Sequence, residues 1–178
     1  NRGVGRSPLP PSGITIEHMA ADAAAVIDAL GLAPAHVGGF SGGGMIAQEL
    51  ALSYPDRVRS LVLNGTYAKF DVRAHGQVAG WMTIARHAES PRAFYEQFLA
   101  GIYTRRAHDD GRVDAWIQEF LDFEHPASDE IIGLQLDAWG AADTTDRLHR
   151  IAVPTLVIAG DEDMACPTSH SRDIAAAI

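Results

Sequence analysis

Apolar positions Ile16, Met19, Ala23, Val26, Ile27 and Leu30 recur at spacings of three and four. This predicts a helix with one apolar face, begun by Thr15 as N-cap and stopped by Gly31 and Pro34. A short apolar run over 35–40 predicts a buried strand. Residues 45–54 regain the helical pattern until Pro55, and 58–63 read as a second strand. Alternation of helix and strand predicts an α/β fold, a mostly parallel sheet with crossover helices. A third strand is predicted over 154–159 (PTLVIA), ended by Gly160, with a last helix over 169–178.

The stretch between the second and third strands has another texture. It holds all three Trp and predicts helices over 72–87, 91–102, 113–123 and 129–139 joined by polar turns. The predicted organisation is therefore a core formed by 1–65 and 149–178, interrupted by a helical cap insertion over 66–148. Residues 1–13, with three Gly and three Pro, read as loop.

Composition narrows the class. The chain has 178 residues, 47% hydrophobic, with a formal net charge of −9. An acidic chain with scattered Lys and Arg is repelled by phosphate backbones and anionic lipid, so neither nucleic acid nor a membrane surface is expected as a partner. No apolar run approaches the roughly 18 residues of a membrane span. With Cys166 the only cysteine, no intrachain disulfide can form. A cytoplasmic location is the expectation.

The chemistry points to one junction. Gly39-Phe40-Ser41-Gly42-Gly43 matches G-x-S-x-G between a predicted strand and a predicted helix. A sharp strand-to-helix turn strains the serine backbone and wants small residues two before and two after it. The turn presents the hydroxyl at the start of the next helix, where the Gly42 N–H and the helix dipole can stabilise an oxyanion. Gly42-x-Gly44-x-x-Ala47 also fits a dinucleotide fingerprint, but the acidic residue expected at the end of the next strand is replaced by Asn64.

A serine hydroxyl needs a base and a carboxylate that orients the base. The third strand leads into Gly160-Asp161-Glu162-Asp163, a cluster of carboxylates at a strand's carboxyl end. Asp161 and Glu162 read as solvated loop residues. His170 is the one histidine after this cluster and reads as a surface residue of the last helix. His18, His36, His75, His87, His108 and His125 hold no position that suggests catalysis.

At these residues the chain resembles a capped, small-molecule α/β-hydrolase. Residues 1–7 (NRGVGRS) resemble that family's D-x-R-G-x-G-x-S loop, Ile14 to Glu17 the start of its next helix, and His36 to Pro55 the nucleophile strand, elbow and helix. Arg57 to Asn64 and Val153 to Pro167 resemble its next two strands, the latter with the acid loop. The resemblance implies Ser41 as nucleophile, Asp163, third after Gly160, as the acid, and Gly42 as an oxyanion donor. Relatives often carry a larger residue such as Met at the position of Gly42, so a loosened oxyanion backbone is expected. The nearest likeness is to 3-oxoadipate enol-lactonase-like and methylesterase-like members.

The family's other oxyanion donor and its histidine would lie before Asn1 and after Ile178, so the chain reads as a fragment with impaired activity. The expected substrate is a small ester or lactone cleaved through an acyl-enzyme, with no metal and no cofactor. Phe40, Trp81, Phe94, Phe98, Trp116, Phe120 and Trp139 are the expected apolar walls, about half of the cap aromatics being cap core instead. A non-catalytic ligand-binding module on the same fold, or a dinucleotide-binding domain, stays open.

Overall fold

The computed structural model describes residues 1–9 and 11–178; Pro10, in the predicted opening loop, lies outside them. Helix α1 (Ile16–Ala29) leads to β1 (Ala35–Phe40), α2 (Gly42–Ser53) and β2 (Val58–Asn64). Helices α3 (Val72–His87), α4 (Pro91–Ala100), α5 (Arg105–Asp109), α6 (Arg112–Leu121) and α7 (Asp129–Ala141) follow, before β3 (Thr155–Ile158) and α8 (Thr168–Ala177). The strands form one parallel sheet in the order β1-β2-β3. Phe40 lies beside Asn64, and Asn64 beside Ile158, so all three strands end at one rim. The loops that leave this rim carry Ser41, Gly65 and Asp163.

Local chemistry starts most helices where the sequence predicts. The Thr15 hydroxyl accepts from His18 N at 3.1 Å, and Asp71, Ser90, Thr104 and Ser128 cap α3, α4, α5 and α7 in the same way. Two expectations shift. The buried stripe of α1 is Ile16, Met19, Ala20, Ala24 and Ile27, while Val26 and Leu30 are exposed. Its small residues let it lie close on α2. That helix begins three residues earlier than its pattern predicts, because Ser41 itself occupies the N-cap position.

Helix α2 is buried on nearly every side, between α1 and the sheet face carrying Leu61 and Leu63. Val62, Leu156 and Ile158 on the opposite sheet face are exposed. The inserted helices do not form a unit wholly of their own. Leu99, Ala107, Val113 and Ile117, on α4, α5 and α6, make a separate small core. Tyr67, Phe70, Ala74, Ala138 and Leu148 instead belong to the main core. The insertion is thus rooted by its two ends.

Polar contacts fix that root to α2. Buried Gln48 donates from Nε2 to the Tyr67 carbonyl at 2.9 Å, and its Oε1 accepts from the Thr144 hydroxyl at 2.7 Å. Lys69 and Asp143 pair across the two stems as an antiparallel bridge and an ion pair of 2.7 Å. Glu49, nearly inaccessible, is held by Arg147 at 3.2 and 2.7 Å. A carboxylate buried there needs its cation.

Arg147→Ala is expected to destabilise the fold by about 2 kcal/mol, less than a fully buried pair because Arg147 is partly exposed. The midpoint of urea unfolding measures it, and Glu49→Gln in the same background should recover part of the loss.

Candidate active site

Ser41 sits at the bend between β1 and α2 with φ 52° and ψ −126°, the one non-glycine residue of positive φ among the described residues. For an L-residue such a conformation costs on the order of 1–3 kcal/mol and persists only where neighbours over-determine it. Ser41 N donates to the Asn64 carbonyl at 3.1 Å, and its own carbonyl accepts from Thr66 Oγ1 at 2.6 Å and from Gly44 N at 2.9 Å.

Glycine is required at particular places around the bend. A Cβ on Gly39 would lie 2.5 Å from the Gly43 carbonyl oxygen and 2.6 Å from Gly44 Cα. Gly43, expected to be crowded, faces open space. The tight positions are instead Gly44, packed on Thr66, and Gly42, packed on the indole of Trp139. The turn is narrow on its inner side, where helix and strand meet, and Gly43 points away from it. Both glycines of the rival dinucleotide pattern make their close approach to side chains of this chain, Trp139 and Thr66.

Gly42 is the first residue of α2, so its N–H lies among those the helix itself leaves without partners. The expected loosening at this glycine meets a counterweight: the indole fills the space a side chain would occupy.

Asp163 lies across the rim. Its Oδ1 accepts from Ala165 N at 2.8 Å and Cys166 N at 2.9 Å, which shapes the loop after β3. A Cβ on Gly65 would come within 3.2 Å of its Oδ2, and φ is 48° at that glycine, so the carboxylate and the end of β2 are in near contact. Half-burial pushes the Asp163 carboxyl above the usual carboxylate range, against the opposing pull of the two backbone N–H donors. Beside it, burial and then the Asp163 charge push the Cys166 thiol up to about 12, while the Tyr67 and Ser41 hydroxyls draw it back. That thiol is a packing group, held neutral between Ser41 and the acid loop.

These groups share a cavity of about 200 Å³. Phe40, Ser41, Trp81, Phe120, Trp139 and Asp163 all line it. Trp116 does not: its ring packs on Tyr103 at 4.5 Å and closes the small core of α4 to α6. Phe94 also lies away from this cavity, beside Phe98. Tyr67, Phe70, Leu99, Tyr103 and Cys166 are walls that the pattern did not single out. Tyr67 and Phe70 follow directly after β2, and a position just past a strand's carboxyl end was the available signal.

No histidine lines the cavity among the described residues. His170 is partly buried rather than a free surface residue: its ring packs tilted against Tyr67 at 4.5 Å, and its Nε2 lies 3.4 Å from Asp71 Oδ2. His36 pairs with the Ser60 hydroxyl at 2.7 Å on the sheet.

A strained serine at a strand-to-helix bend, with an acid loop on the same rim, defines a site of the α/β-hydrolase type. A family model described as alpha/beta hydrolase fold matches residues 1–178, and the chain belongs to that family. It is 32% identical to a candidate carbamate hydrolase, RutD, of Caulobacter vibrioides, over 98% of this chain and 65% of that protein. The chain therefore spans just under two thirds of that relative's length. Among solved structures, a candidate non-heme bromoperoxidase, BpoC, of Mycobacterium tuberculosis H37Rv superposes with a TM-score of 0.85 at 31% identity, over 100% of this chain and 67% of that one. The enol-lactonase of Burkholderia xenovorans LB400 superposes with a TM-score of 0.77 at 29% identity, over 99% and 66%. Among the described residues no helix is long and apolar enough to cross a membrane.

Gly42→Ala is expected to cost about 1–3 kcal/mol by overpacking on Trp139. Trp139→Ala should cost more alone, yet the double variant should lose less than the sum of the two, as read from denaturation midpoints. Asp163→Asn removes a charge that burial disfavours. With the folded-state pKa raised, ionisation of Asp163 weakens the fold as pH rises through the carboxylate range. The variant should therefore melt above the parent at pH 7, and the difference should close as pH falls below that range.

Proposed function

We propose that this chain carries the nucleophile and acid of a serine hydrolase that cleaves a small ester or lactone through an acyl-enzyme. The backbone of Ser41 carries this reading: φ of 52° at a bend pinned by Asn64 and Thr66 sets the residue at the head of α2 and on the cavity wall. Ser41 Oγ attacks the carbonyl carbon, and the carbonyl oxygen, now an oxyanion, accepts from Gly42 N–H with help from the helix dipole. Collapse of the tetrahedral intermediate expels the alcohol and leaves acyl-Ser41, which water then hydrolyses. Asp163 would orient a histidine that takes the Ser41 proton and returns it to the leaving group. That histidine is not among the described residues around the cavity. Names such as enol-lactonase and esterase among similar structures support ester or lactone chemistry.

A second reading, a ligand-binding pocket without turnover, draws on the same lack of a cavity histidine. Tight binding that survives Ser41→Ala, with no covalent adduct at Ser41, would select it.

Without a base in place, p-nitrophenyl hexanoate should be turned over slowly or not at all, and acyl-Ser41 should accumulate. Added imidazole should speed its formation, and intact-mass spectrometry should find none in Ser41→Ala. Brisk turnover by the chain alone would show that a base is already present. Absence of any adduct in folded protein with imidazole would remove Ser41 from the role.

A further inference from the structure

The cavity above Ser41 is unusually poor in charge. Trp81 and Phe98 meet edge to face at 4.8 Å on one side, Phe70 and Leu99 complete the wall, and Trp139 lies over Gly42. Among the described lining residues Asp163 is the one charged group. The polar remainder is Ser41, Gln77, Tyr103, Cys166, the tryptophan indole N–H groups, that of Trp139 without a partner among the described residues, and Tyr67, whose hydroxyl is already donated to the Ala165 carbonyl. One cation, Arg73, stands nearby, but outside. With Asp71 and His170 it belongs to an adjoining polar niche, separated from the cavity by Tyr67, Ala74 and Gln77, which form both walls. His170 there faces the Asp71 carboxylate.

One consequence follows for a ligand. Its charge is bounded, because a carboxylate carried into this cavity gives up water, finds no cation among the described lining residues, and meets the field of Asp163.

Resting on Ser41 as the attacking group, we propose that the substrate's acyl part is an uncharged hydrocarbon, and that acyl groups ending in a second carboxylate are excluded. Gln77 is the position that sets the preference, since it stands between the apolar cavity and the polar niche that holds Arg73.

Two amides that resist hydrolysis test the charge preference apart from any chemistry. Hexanamide and the monoamide of adipic acid share a chain and differ by a terminal carboxylate. Trp116→Phe removes the tryptophan outside the cavity, leaving Trp81 and Trp139 fluorescence to report binding at pH 7. Hexanamide should bind at least about tenfold more tightly, and the same ratio should appear when Ser41→Ala is added. Gln77→Arg should narrow or invert it. Equal or tighter binding of the acid monoamide in both backgrounds overturns the proposal, as does failure of hexanamide to bind at all. If the preference holds while Ser41 never forms an adduct, the cavity assignment stands and the nucleophile assignment falls.

Discussion

At the end of β1 the chain must turn into α2 within a single residue, and that residue is Ser41 at φ 52°. The strain is tolerable only because three neighbours remove every alternative. Gly39 leaves no Cβ in the path of the helix, Asn64 receives the Ser41 N–H, and Thr66 holds the Ser41 carbonyl. Two of these belong to β2 or its exit, so the bend depends on parallel pairing of β1 with β2. Sheet register and the geometry of Ser41 are therefore one constraint.

The same rim organises the rest. Pairing Asn64 with Ile158 brings the loop after β3 beside Gly65, and the Asp163 carboxylate settles there by accepting from Ala165 and Cys166 N–H. The inserted helices reach this rim by their rooted ends. Gln48 bonds to Tyr67 and Thr144 and so links α2 to both stems of the insertion. At the far side, Met164 N donates to the Gly101 carbonyl at 2.9 Å and ties the acid loop to the end of α4. Floor and roof of the cavity are thus joined at several points.

Much of this was legible because the determinants are local. Strand and helix periods located β1, β2, β3 and most helices, and G-x-S-x-G located the bend. Helix α5 went unseen because five residues are too few for a period; only Thr104 before it and Gly111 after it marked its limits. What failed was long-range. Whether an aromatic residue of the insertion faces the cavity or its own small core depends on how α4 to α6 pack, and nothing in the spacing of Trp81 and Trp116 distinguishes them. Crowding at Gly42 and Gly44 was hidden for the same reason, since Trp139 and Thr66 are remote in sequence.

The indole over Gly42 ties two distant positions into one steric unit. A bulky residue can enter the first only as the second shrinks, and the reverse holds equally. Lineages of this fold should therefore traverse the pair by compensated exchange, each partner's tolerated volume being set by the other. An observer of divergent sequences would see a large residue at one position matched by a small one at the other, with the combined volume conserved.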